Sequence, residues 1–262
     1  MRNQLAWVLM VMLCPMVVSG QEVDPAQASP KAVVQATFNA LYDSDFDRII
    51  ALTDPKSKEA YSKFLIDLYE SNPLDPVVAH HKQQLHPIDT KEKVSKAGPD
   101  AVLRQKYENT YGAIPKKQLR ESTPELEILG VINESPQRAH VITRAVTLHV
   151  IEETCQKVDG KWYMLLDDEV PRMWRHAQAI HEKHLPDLKK VVSKFESAKV
   201  LGYVPDGKDH VQALCRIQVQ VAGVPFEELS CFSVYKGELA WDHLDDKDQT
   251  ELIAALRERW GI

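Results

Sequence analysis

His140, Arg144, Tyr163 and Asp167 are the side chains of this chain whose types and spacing suit acid–base chemistry. Alternation over His140–Ile151 predicts one long strand, on which His140 and Arg144 share a face with Ile142, Val146, Leu148 and Val150. Tyr163 and Asp167 share a face two pleats apart on the strand, or strand end, that follows Gly160. Inside an apolar cavity the four would form a candidate pocket. Asp167 or His140 would act as base, and Tyr163 or Arg144 would stabilise developing negative charge. The same residues also have a structural assignment. Arg144 then pairs with an acid at a sheet rim, Tyr163 fills core, and Asp167 caps a helix ahead of Pro171.

Other chemistries fit less well. His181 and His184 are spaced i, i+3 on a helical stretch that also holds His176, but His181-Glu182-Lys183-His184 is one residue short of the zinc-protease spacing. His80 and His81 are adjacent and point to different sides of any regular element, so no metal site is expected. There is no GxSxG, no phosphate-binding loop and no GxGxxG, and no cofactor is expected. A formal net charge of −6 argues against a nucleic-acid or anionic-membrane binder. Past Cys14, the cysteines are Cys155, Cys215 and Cys231, with no CxxC pair. Cys215 lies on an apolar strand face, where a buried inert thiol is the default. Cys215 and Cys231 also flank Gly223 symmetrically in an expected hairpin, which makes them the disulfide candidate.

The elements that must position these residues fall into two blocks. Residues 21–30 read as a flexible lead-in. Pro30 then opens a helix striped by Val34, Phe38, Leu41 and Tyr42, Ser44 is the expected N-cap of a second, and Asp54-Pro55 starts a third. Residues 72–98, with Pro73, Pro76, Pro87 and Gly98, read as an irregular excursion, and a further helix follows Pro99. From Glu125 the period becomes two: strands at Leu126–Ile132, His140–Ile151 and, after the turn Asp159-Gly160, Lys161–Leu166. Helical spacing returns over 172–196, with Leu188, Val191, Val192 and Phe195 as its last apolar face. Strands follow at 198–204, 209–222, 228–236 and 238–243, and then a C-terminal helix marked by Leu252, Ile253, Leu256 and Trp260. In the second block Val211, Ala213, Cys215, Ile217, Val219 and Val221 alternate with His210, Gln212, Arg216, Gln218 and Gln220, and Leu214 is the exception. That pattern predicts one buried face and one wet face.

The two strand blocks share an order of residues. Leu129-Gly130 and His140-Val141 match Leu201-Gly202 and His210-Val211. Glu152-Glu153 with Cys155 match Glu227-Glu228 with Cys231. Gly160 with Trp162 match Gly237 with Trp241, and Leu166-Asp167-Asp168 match Leu244-Asp245-Asp246. The expected fold class is therefore α+β, with two helix-on-antiparallel-sheet units at residues 31–170 and 171–262. The stretch Ala32–Asp54, with Ala40-Leu41-Tyr42-Asp43-Ser44-Asp45-Phe46-Asp47, and the ending Gly160-Lys161-Trp162 resemble the nuclear-transport-factor-2-like, cystatin-like α+β cone superfamily. The resemblance implies a cone-shaped first unit, and a second, shortened version of it. It also implies isomerase, dehydratase, ligand-binding or assembly roles, among which the fold does not select.

Residues 1–20 read as a secretory signal. Arg2 supplies a positive start, Leu5–Val18 is almost unbroken apolar and too short to span a bilayer, and Val18-Ser19-Gly20 offers a cut before Gln21. The expectation is an exported protein, periplasmic or extracellular, without an integral membrane segment after cleavage. It binds a small ligand or an envelope partner without catalysis. The alternatives are a small-molecule isomerase or lyase and a structural envelope module with no pocket.

Overall fold

The computed structural model describes residues 24–70, 76–122, 126–144, 150–166, 193–208, 210–221, 223–235 and 238–239. These form seven α-helices and two four-stranded antiparallel sheets, an α+β architecture as expected. No helix among the described residues is long and apolar enough to cross a membrane.

Capping chemistry sets the first helices. Helix α1 (Pro30–Tyr42) opens with proline at its first position, and the Ser29 hydroxyl accepts from Ala32 N at 3.1 Å. Helix α2 (Phe46–Leu52) is capped by Asp45, which accepts from Arg48 N at 3.0 Å. Ser44, the expected cap, instead takes a left-handed φ of 53° in the link between the helices. Helix α3 (Pro55–Glu70) follows Asp54, whose carboxylate accepts from Ser57 N at 2.8 Å.

The expected irregular excursion at 72–98 is instead largely helical: α4 (Pro76–Leu85) and α5 (Lys91–Ala97). Pro76 opens α4 rather than breaking it, because a first-position proline loses no intrahelical bond. Val78, Leu85 and Val94 bury against Tyr61, Phe64, Leu65 and Leu68 of α3 and Val102 of α6 (Pro99–Tyr111). A short helix α7 (Lys116–Ser122) was not anticipated, since Leu119 is the one buried apolar residue described in it.

Sheet one runs β1 (Glu127–Ser135), β2 (Arg138–Arg144), β3 (Val150–Val158), β4 (Lys161–Met164) in spatial order. The expected long strand His140–Ile151 is two strands, with Arg144 opposite Val150. Residues 145–149 contain neither glycine nor proline, so the sequence carries no mark of the reversal. Asp159 and Gly160 do form the tight β3–β4 turn, with φ of 50° and 81°. One face of sheet one packs Ala139, Val141, Cys155 and Trp162 against Val33 and Val34 of α1 and Leu52 of α2.

Sheet two runs β5 (Ser193–Pro205), β6 (His210–Val221), β7 (Val224–Tyr235), β8 (Glu238–Leu239). Phe195, expected on a helix, lies in β5 opposite Val219, so ladder pairing overrides the local helical spacing. Ala213, Cys215 and Ile217 of β6 cluster with Val200, Phe232 and Val234 on one face. The opposite face of β6 is not wet throughout. Gln212 and Leu214 are buried, because Leu214 packs with Ile132, Ile142 and Val204 in a core between the two sheets. The expected helical stretch from 172, Leu244-Asp245-Asp246 and the C-terminal helix lie outside the described residues.

The sheets meet where β1 crosses β5. A Cβ on Gly130 would run into the Val204 side chain, and a Cβ on Gly202 would stand 2.5 Å from Ile132 Cγ2. Both strands slip register one residue earlier, at Leu129 and Leu201, and both leucines join the inter-sheet core. Gly130→Ala and Gly202→Ala should each destabilise the protein by about 1–3 kcal/mol through overpacking. Urea unfolding measures this, and near-neutral variants would show that the sheets yield at the crossing.

Candidate functional site

His140 stands on β2 between Ile132 of β1 and Thr154 of β3, on the face turned toward sheet two. Its side chain is fully buried. Nδ1 lies 2.6 Å from Glu152 Oε1, and Nε2 lies 3.0 Å from Glu134 Oε2. Each ring nitrogen thus has a carboxyl oxygen within hydrogen-bond distance. Thr154 donates to Glu152 and stands 3.3 Å from Nδ1.

Glu134 sits at the hairpin end of β1 and links the two sheets. Its Oε1 accepts from Arg216 Nη2 of β6 at 2.7 Å, while Arg138 Nε stands 3.3 Å from Oε2. Arg216 Nε is 3.0 Å from Glu227 Oε1. Burial pushes the Glu134 carboxyl up, but hydrogen bonds from Arg216 and His140 and the charges of Arg216 and Arg138 outweigh it, leaving its pKa below the ordinary value.

A second cluster mirrors the first. Arg144 of β2 reaches across to Asp206 beyond β5 and also pairs with Glu127 at 3.1 Å. Asp206 accepts from Gln212 Nε2 at 2.6 Å, and Gln212 exchanges hydrogen bonds with Ser233 at 2.8 and 3.0 Å. Burial pushes Asp206 up, and the hydrogen bonds from Arg144 and Gln212 with the nearby Arg144 and His210 charges bring its pKa below normal. The pairing register makes the clusters equivalent. His140 faces Thr154 as Gln212 faces Ser233, and Glu127 faces Arg144 as Lys199 faces Arg216.

The structure therefore brings His140 and Arg144 to one face, two rows apart, and engages both at the inter-sheet seam. Tyr163 is half-buried on β4 opposite Gln156, which is itself opposite Arg138, so it stands one row beyond His140. Asp167 lies outside the described residues, as do His176, His181 and His184. Among the described residues no group of three potential ligands could hold a metal ion. His81 is buried with its ring edge-on to Phe64, at 5.7 Å between centroids.

Two expectations are corrected by register. The strand repeat aligns His140 with Gln212, not His210, and Cys231, opposite Leu214, takes the place of Glu152, opposite Ile142. The Cys215–Cys231 disulfide does not form, and the three described cysteines are free thiols. Val221 pairs with Val224, so Cys215 falls opposite Ser230 and Cys231 opposite Leu214. The two cysteines are one residue out of step and point to opposite faces. Burial pushes the Cys155 thiol well up, and pushes Cys215 and Cys231 up to about 12.

The sequence reading overlooked Glu134, Glu152, Asp206, Gln212 and Arg216 as site residues. The available signal was the recurrence of an acid and an arginine at matched places in the two hairpins: Glu134 with Arg144, and Asp206 with Arg216. Comparison with protein-family models, curated proteins and solved structures found no match to this chain.

Arg216→Ala leaves Glu134 partly buried without its strongest partner and should cost about 2–3 kcal/mol in chemical denaturation. The two seam carboxylates have depressed folded pKa values, so their contribution is complete above the ordinary values of 4.5 and 3.8 and is lost as pH falls through the lower folded values. Melting temperature should drop on acidification below about pH 4. Arg216→Ala should flatten part of that drop, and an acid profile parallel to the parent would count against the Glu134 assignment. In the native state Cys155 and Cys215 should resist thiol reagents until unfolding, as a timed labelling assay by mass spectrometry would detect.

Proposed function

We propose that this is an exported, non-enzymatic protein of two helix-on-sheet units, the first of nuclear-transport-factor-2-like type, that binds a small ligand or an envelope partner. One observation carries the non-catalytic reading: His140 and Arg144, two of the four groups fit for acid–base work, are already engaged by acidic partners at the inter-sheet seam. A general base needs a free lone pair aimed at substrate. His140 is fully buried with a carboxylate at each ring nitrogen, and Arg144 is paired with Asp206 and Glu127. That arrangement argues against the isomerase or lyase alternative built on His140 and Arg144. The cone-like type is supported by α1 and α2 lying against one face of a four-stranded antiparallel sheet. Export is supported by the composition of residues 1–20, with a positive start, a short apolar run and small residues before Gln21.

Native mass spectrometry of the protein recovered from the exported fraction tests the reading. The expected mass corresponds to residues 21–262, with a bound small molecule or a second polypeptide. A mass that retains residues 1–20 would remove export. A turnover activity that disappears in a folded His140→Gln variant would overturn the non-enzymatic assignment.

A further inference from the structure

The contacts between the sheets are one set made twice with the roles exchanged. Gly130 of the first hairpin receives Val204 of the second, and Gly202 of the second receives Ile132 of the first. Glu134 of the first takes Arg216 of the second, and Asp206 of the second takes Arg144 of the first. The backbone repeats the same design. A one-residue slip at Leu129 puts Gly130 opposite Ile142, and a slip at Leu201 puts Gly202 opposite Leu214. Glycine, then an aliphatic residue, then an acid recur at alternate positions (Gly130, Ile132, Glu134 along β1, and Gly202, Val204, Asp206 along and just past β5), and an arginine of each second strand meets the other hairpin's acid.

A seam between two unrelated faces has no need of this redundancy. One acid on one side and one arginine on the other would join them. Repetition with exchanged roles is what a two-fold axis between like faces produces, because contact i to j then requires contact j to i. Each face carries both members of every pair and is complementary to its own kind.

We infer that the inter-sheet face is a self-pairing surface, and that the partner it fits outside its own chain is a second copy of this protein. The dimer is an exchanged one: the first sheet of each copy receives the second sheet of the other. Every seam contact is kept in the exchange, so the exchanged form repeats the same seam at the cost of association.

Charge reversal in the full-length chain tests this. In Glu134→Arg closed on itself, two guanidinium groups meet at the seam. In Arg216→Glu, two carboxylates meet. An exchanged mixed dimer seats the substituted first sheet of one variant on the substituted second sheet of the other, restoring an Arg–Glu pair, while its other seam is native. The two variants are unfolded in urea, refolded alone and together, and analysed by size-exclusion chromatography with light scattering. The expected result is a 1:1 mixed dimer whose melting temperature lies about 5 °C or more above either variant refolded alone. Co-refolding makes the readout independent of whether a single variant folds. Arg144→Glu with Asp206→Arg tests the symmetry-related seam and should behave alike. Separate species with no mixed dimer would overturn the proposal, and a mixed dimer from one pair alone would overturn the two-fold equivalence.

Discussion

The close approach of β1 and β5 at Gly130 and Gly202 is the constraint on which the rest of the sheet packing depends. Stacked sheets ordinarily stand about 10 Å apart, spaced by the side chains on both inner faces. Here each crossing strand gives up a side chain at one position, and an aliphatic group of the other strand fills the space. The fit is possible at one register, because a one-residue slip would present the opposite face of either strand. Once the glycines are seated, the residues further along each strand have no freedom in what they meet. Ile132 and Val204 share a core with Ile142 and Leu214, Glu134 reaches Arg216, and Arg144 reaches Asp206.

The ion pairs at the ends of this core do a different job from the glycines. A desolvated pair returns little net stability relative to an apolar contact, since both charges have left water. A wrong register, however, would separate Glu134 from Arg216, two partly buried charges that now hold each other at 2.7 Å, and that is costly. The apolar crossing therefore supplies the attraction, and the charges penalise the alternatives. His140 belongs to the same logic. Its ring meets two carboxyl groups beneath the seam, so the inward-facing strand position that suggested a catalytic base is the one that ties up both of its nitrogens.

What the sequence disclosed and concealed follows the range of the interaction. Helix starts at Pro30, Asp54-Pro55 and Pro99 and the turn at Asp159-Gly160 depend on adjacent residues, and they were legible. Prolines misled at 72–98, where the same residue type that ends a helix also begins one. The reversal between β2 and β3 left no mark because residues 145–149 continue the apolar alternation. Leu214 was legible as an anomaly but not as a cause: an apolar residue on a nominally polar face was the visible edge of a second buried surface. The candidate site was half legible. His140 and Arg144 do share a face, yet their partners come from strands far along the chain, and no local pattern pairs Glu134 with Arg216. The cysteine hairpin failed by one residue, because the two-residue turn between Val221 and Val224 sets a pairing that symmetry about Gly223 does not.

The difference between the two polar clusters is itself informative about what the seam requires. At the central position one hairpin has His140 and the other Gln212; beside it on the third strand one has Glu152 and the other Cys231. The two differences fall on neighbouring side chains. Glu152 stands 2.6 Å from His140 Nδ1 and accepts from Thr154. Burial pushes the Cys231 thiol up, and Gln212 instead bonds Asp206 and Ser233. Both halves preserve one geometry: an acid held by the central side chain, a hydroxyl behind it in Thr154 or Ser233, and an arginine arriving from the opposite sheet. The elements common to both halves, an acid and an arginine on each, are those that join the sheets, and the elements that differ lie beside them on the second and third strands.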